Sequence, residues 1–458
     1  MLHQSFDGSV PGNTRRCGEM SQSARGHSLC AILLGLSLVA LAGCSSKTYL
    51  MPTPTVYTHP DWDPFADVPP SLQGDEVSVL YVTDRLPEEQ TEDHWEYGYQ
   101  RSRSAAFGEA VVQIGDGLSW DDLVEASRAR NRARELELNV TATRELARFA
   151  PTPPTLVITD AQLASHELPP VDPAQAEAER RFKEDLAARL ARTPRKEVFI
   201  YVHGFNNSLE EAVLTTAELW HFLGREGVPI CYTWPAGVGL FKAYQYTLAS
   251  TQFTIYHFKQ MLRLIASCPE VEKVHIIAHS RGTAVATDAL RELHLEIRGT
   301  ADTKKALKLG TIVLAAADLD LDVVIQRLAT ERIGRAVEHV VIYISSHDTA
   351  LGFSAWLFGG GRLGDIDFKL FEPEEIAALR GSRRVQFIDA RVKKLGLGHS
   401  YFYTNPAVSS DLMLLLRYQL LPGAEYGRPL GVTDVGLWVV DDDYPGSSWT
   451  FPDAAPSN

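Results

Sequence analysis

The chain has 458 residues, of which 45% are hydrophobic and 22% charged, with a formal net charge of −14. That is ordinary globular composition, with apolar content for one large core or two smaller ones. The charge argues against nucleic acid as a partner, because no basic surplus exists to meet phosphates. Of the five cysteines, Cys231 and Cys268 are the two beyond residue 44, too few for a disulfide framework; no cluster has metal-ligand spacing, and no metal or cofactor is expected.

Arg25 precedes an apolar run from Leu29 to Leu41. It falls short of the roughly 20 apolar residues that cross a bilayer, so it reads as a signal peptide over residues 1–43. Its end, Leu41-Ala42-Gly43-Cys44, resembles the lipobox of bacterial lipoproteins. That resemblance implies lipid on Cys44 and a place in the bacterial cell envelope, on the periplasmic face of the outer membrane. A plain secretory signal with an incidental cysteine is the alternative. Met20 would start a signal of more usual length than Met1 does. Residues 44–74, rich in proline and polar residues, read as an extended tether.

Two short valine-rich strands follow, "DEVSVLYVTDR" and "AFGEAVVQIG". Residues 118–195 are charged and proline-broken, and end in the strong helix pattern "AQAEAERRFKEDLAARLAR". They read as a helical insertion, or cap, before the third strand.

From Lys196 onward apolar strands alternate with amphipathic helices: "EVFIYVHGF", "VPICYTWPAG", "VEKVHIIAHS", "KLGTIVLAAAD" and "VEHVVIYISSHD" are the strands. Such runs predict an α/β fold, a mostly parallel sheet covered by helices on both faces, with ligands beyond the carboxyl ends of its strands. Cys231, inside one such strand, reads as core. The domain would span 75–405, leaving 406–458 as a C-terminal extension with a loose acidic end.

The candidate reactive residues end those strands in the order Ser280, Asp348, His399, the order of a serine elbow followed by its acid and its base. A serine hydroxyl is a weak nucleophile until an imidazole takes its proton, and the imidazole needs a carboxylate to fix its tautomer. Small residues, Ala278 and Gly282, flank the serine as a tight turn requires. Upstream, His203-Gly204 ends a buried strand where such enzymes form half of an oxyanion hole. The backbone amides of Phe205 and Arg281 are the candidate donors. Asp318, after the strand that follows the serine helix, and Asp389, ending a later strand, compete with Asp348 as the acid; Asp318 would otherwise cap the following helix. His279 should point away from the serine, and His347 reads as a solvated loop residue. "LGFSAWLFGGGRLGD" reads either as a mobile apolar flap or as buried packing.

"VFIYVHGFNNSLEEAV", "HIIAHSRGT", "LAAADLDLDVV", "YISSHDTALGFS", "RLGD" and "LGHSYF" together resemble the alpha/beta hydrolase family of uncharacterised function, DUF900, of the esterase/lipase superfamily. The likeness runs over roughly residues 76 to 404, with Arg281 and the long insertion as departures. It implies an α/β-hydrolase fold and ester hydrolysis, with Ser280 matching the nucleophile, and supplies no substrate; the envelope location adds a lipid ester, or a thioester, as candidates. An acyltransferase with the same triad and a non-catalytic envelope module remain the alternatives.

Overall fold

The computed structural model describes residues 47–450 except 61, 154–158, 161–171, 238–240, 346, 359–360, 367–371 and 434–435; for Phe241, Lys242, Phe353 and Trp356 to Phe358 it describes the backbone alone. The signal peptide, Cys44 and the last eight residues therefore lie outside the described residues.

Strands β5 (Glu197–Val202), β6 (Val228–Thr233) and β8 (Leu309–Ala315) are buried at every position. Successive side chains enter opposite cores: in β5, Val198, Ile200 and Val202 join one hydrophobic cluster, while Phe199 and Tyr201 join the other. A strand apolar on both sides must be covered on both faces. Parallel pairing runs from β2 (Glu76–Gln90) through β6, β5, β7 (Lys273–His279), β8, β9 (His339–Ile344) and β10 (Val385–Arg391) to β12 (Trp438–Asp441). Antiparallel strands complete the two edges: β3 (Trp95–Ile114), β4 (Glu137–Arg148) and β1 (Thr48–Tyr49) beside β2, and β11 (Gly431–Val432) beside β12. Among the described residues this makes one twelve-stranded sheet, mostly parallel as expected.

The helices obey local signals. Ser119 caps α1 (Trp120–Arg128), and Asp172 caps α2 (Pro173–Ala191), which has proline in its first turn. In α2 the buried residues Ala178, Phe182, Leu186 and Leu190 recur every fourth position, one stripe facing the sheet. Ser208 and Glu211 form a capping box at α3 (Leu209–Phe222). Further helices are α4 (Phe241–Ala266), α5 (Gly282–Ile297), α6 (Thr349–Phe358), α7 (Pro373–Gly381) and α8 (Pro406–Tyr418). Helices α3 and α8 pack in one core; α2, α4 and α5 pack in the other.

Three sequence expectations are corrected. The tether over 44–74 is not extended from Thr48 onward: Leu50, Tyr57, Trp62, Phe65 and Val68 are buried, and the Tyr57 hydroxyl donates to the Phe222 carbonyl on α3 at 2.5 Å. The prolines space aromatic side chains that have a core to enter. The region 118–195 is not a helical insertion alone, because β4 is a sheet strand. Its Leu136, Leu138 and Ala142 are buried, while Glu137, Asn139 and Thr141 between them face outward. The C-terminal extension is integral to the domain. Helix α8 is buried from Ala407 to Arg417, β12 pairs with β10, and Tyr444 and Trp449 are buried within the acidic end.

That C-terminal segment is held by a fully buried ion pair. Arg428 donates through Nε to Asp411 Oδ1 at 2.9 Å and through Nη2 to Oδ2 at 2.8 Å. The hydroxyls of Tyr343 and Tyr444 donate to the same carboxylate at 2.6 and 2.8 Å. Burial alone would make these charges costly; the two-pronged geometry and the two phenols satisfy them.

Candidate active site

β7 ends at His279, and the chain turns into α5 through Ser280, whose φ is +52°. A non-glycine residue held there costs about 1–2 kcal/mol, so the surroundings must impose it. They do. The Ser280 N–H donates to the Ala315 carbonyl at the end of β8 at 2.9 Å, and the Ser280 carbonyl accepts from the Thr283 N–H at 3.1 Å. A β-carbon on Gly204 would stand 2.7 Å from that of Ser280, and one on Gly282 would stand 2.4 Å from the His203 carbonyl oxygen. Both glycines thus answer to close approach. Ala278 needs no such relief, because its methyl points into the core.

The neighbouring strand repeats the device. Ala316, just past β8, has φ +48°, and the turn it makes brings the Asp318 N–H to 3.4 Å from the Ser280 carbonyl oxygen. Sequence reading did not flag Ala316, since alanine carries no turn signal.

His399 lies beyond β10, in a loop with positive-φ glycines at 396 and 398. Its Nδ1 is 2.6 Å from Asp348 Oδ2. The other carboxylate oxygen, Oδ1, accepts from the N–H groups of Ala350 and Leu351 at 3.0 and 3.1 Å, in the first turn of α6. The Asp348 side chain is fully buried, whereas that of His399 is 18% exposed, so one end of the imidazole is held and the other reaches solvent. The two loops are tied together: the Thr349 hydroxyl donates to the Leu397 carbonyl at 2.9 Å.

The competing carboxylates face elsewhere. Asp318 accepts hydroxyls from Tyr244 at 2.8 Å and Ser354 at 2.9 Å, and pairs with Arg362 at 3.5 Å. It does not cap the following helix; Asp320 does, accepting from the Val323 N–H at 3.1 Å. Asp389 pairs with Arg391 at 2.7 Å.

His279 corrects a second expectation. It does not point away from the site: its ring lies 4.8 Å from that of His399, and its Nε2–H donates to the His399 carbonyl at 3.1 Å. Burial, with His399 alongside, pushes its pKa down to about 3, so it is neutral and backs the loop. His347 is exposed, as expected.

His203 is fully buried and stacks on Trp234 at 5.5 Å. Its Nδ1–H donates to the Gly204 carbonyl at 2.8 Å and its Nε2 accepts from the Trp234 N–H at 3.0 Å. Burial first and the Arg85 charge second hold its pKa well below the usual imidazole range. It shapes the turn and has no proton to trade. Arg85, which sequence reading missed, braces that turn. Fully buried on β2, it donates through Nη2 to the Asn207 carbonyl at 2.7 Å and through Nε to the Thr233 hydroxyl at 2.9 Å. Burial brings its pKa down to about 10. The signal was the "VTDR" string: an arginine inside a strand whose neighbours are buried needs partners.

Phe205 follows Gly204 and packs edge-on to Tyr244, ring centroids 5.6 Å apart. Arg281 opens α5, where amide groups have no carbonyl of their own helix to meet. The apolar flap falls on Phe353 and Trp356 to Phe358, whose side chains lie outside the described residues; the backbone there is helical. Cys231 is buried, and burial pushes its thiol up to about 12, so it is inert core.

The arrangement supplies a hydroxyl on a strained turn, an imidazole oriented by a buried carboxylate, and a helix start at one strand rim. Residues 178–417, a little over half of the chain, match the family described as an alpha/beta hydrolase of unknown function (DUF900). No curated protein matches the chain.

Proposed function

Because the chain belongs to the DUF900 family of α/β hydrolases, we propose that it is a serine hydrolase that cleaves a carboxylic ester through a covalent acyl-enzyme. Ser280 attacks the acyl carbon while His399 takes the hydroxyl proton. Asp348 holds the imidazole tautomer and stabilises the imidazolium. The Phe205 and Arg281 amides receive the oxyanion. His399 then passes the proton to the departing alkoxide, and water, activated by the same imidazole, frees the acid. The observation that carries this reading is the 2.6 Å contact of Asp348 with His399, whose ring lies 4.8 Å from that of His279, the residue directly before a serine at φ +52°. A lipid ester or a thioester would suit the same steps.

The Leu41-Ala42-Gly43-Cys44 run supports export and lipidation at Cys44, which would keep the enzyme in the cell envelope. Metabolic labelling with a fatty acid, lost in Cys44→Ser, tests the anchor. Fluorophosphonate labelling and turnover of short p-nitrophenyl esters test the chemistry. Both should vanish in Ser280→Ala, and full labelling of that variant would overturn the assignment.

A further inference from the structure

Asp318 is buried against the elbow, yet its carboxylate serves neither His399 nor a helix cap. Its main chain is bound to the serine turn: the N–H meets the Ser280 carbonyl at 3.4 Å, and its own carbonyl accepts from Arg281 Nη1 at 3.1 Å. Its side chain gathers three other elements. Tyr244 on α4 and Ser354 on α6 donate hydroxyls to it, and Arg362, itself buried, pairs with it. Tyr244 in turn lies edge-on against Phe205. One carboxylate therefore links the serine turn to the turn that carries the other candidate oxyanion donor.

We propose that Asp318 is a positioning residue that acts through Tyr244. It fixes the phenol, the phenol ring backs Phe205, and the Phe205 amide is held at its distance from Ser280. The Phe205 turn needs such a brace. It contains Asn206 at φ +57°, a backbone state that non-glycine residues keep only when held. An oxyanion donor works only over a few tenths of an ångström, so a small drift of that turn acts on the rate step and spares substrate binding. Tyr244 also carries a phenol raised to about 12, by burial first and by Asp318 second, so it stays a neutral donor across the working range.

This inference rests on the serine-hydrolase reading, and the test separates the two. Tyr244→Phe keeps the ring and removes only the hydroxyl. It is expected to lower kcat on a short p-nitrophenyl ester by about tenfold with KM within twofold, and to slow fluorophosphonate labelling of Ser280 by the same factor. Asp318→Asn should lower kcat about 10- to 100-fold, and the double variant should be no worse than the poorer single one, because both changes cut one linkage. The acid-limb inflection of the pH–rate profile should stay at its wild-type position in each variant. Wild-type kcat in Tyr244→Phe, multiplied losses in the double variant, or an inflection moved by Asp318→Asn would overturn the proposal while wild-type turnover leaves the hydrolase reading intact. A wild-type protein without turnover, whose Ser280→Ala form still labels, would sink the hydrolase reading and this one with it.

Discussion

Asp348 and His399 stand 51 positions apart in the chain and 2.6 Å apart in space, the carboxylate fully buried and the imidazole partly exposed. The buried partner is itself held by two backbone N–H groups. Asp348→Asn would keep that shape and reverse the hydrogen-bond polarity at Nδ1. Ester turnover should fall by about 10⁴-fold at neutral pH, with an unchanged far-ultraviolet circular dichroism spectrum. A loss under tenfold would mean that another acid orients the imidazole.

Arg85 acts at a distance from the serine. Its planar fork reaches the Asn207 carbonyl and the Thr233 hydroxyl at once, which an ammonium on a flexible stem does not reproduce. Arg85→Lys is expected to lower kcat by about 10- to 100-fold through the loosened Phe205 turn. Steady-state kinetics on the purified, folded variant decide it; unchanged kcat would reduce Arg85 to a space filler.

Glu218 on α3 is buried against the N-terminal segment and accepts the Met51 N–H at 2.8 Å. Burial raises its pKa from the ordinary 4.5 to about 8. The folded form therefore holds a proton that the unfolded chain releases near pH 4.5. Its stabilising contribution is full below that pH and is lost as pH rises through about 8. Glu218→Gln keeps the acceptor and cannot ionise. Thermal melts between pH 5 and 9 should show the wild type losing stability toward alkali relative to this variant; parallel curves would contradict the assignment.

Arg428 and Asp411 make another buried contact with a measurable cost. Arg428→Met leaves a carboxylate buried with only two phenols for company. Breaking such a pair should cost about 3–5 kcal/mol of stability, read from urea unfolding. A shift below about 1 kcal/mol would place the pair among ion pairs that contribute little.

The region after Lys196 was legible because β5, β6 and β8 are buried on both faces and read as near-continuous apolar runs, the pattern of a covered parallel sheet. β4 was obscured because Glu137, Asn139 and Thr141 alternate with Leu136, Leu138 and Ala142 in a stretch crowded with charged residues on either side. The order of Ser280, Asp348 and His399 could be read from strand ends. Its place two strands beyond the serine strand favours Asp348 over Asp318; the partners of the two carboxylates could not be read, since each follows a strand of the same sheet. His279 was misjudged because alternation along β7 was followed without asking what packs on that face: the residues there are His399 and Phe402. Arg85 and Ala316 were missed for a different reason. Their work depends on chain segments that meet them only in space.

Asp442, directly after β12, accepts from the Lys393 N–H at 3.1 Å and from the Asn405 amide at 3.1 Å, so the His399 loop leans on a residue made after it. During synthesis, a ribosome that has finished residue 417, where the family match ends, has already produced Ser280, Asp348 and His399. It has not yet produced Arg428 or Asp442. The nascent polypeptide would thus hold the serine, the carboxylate and the imidazole before it holds the carboxylate that ties down the imidazole's loop.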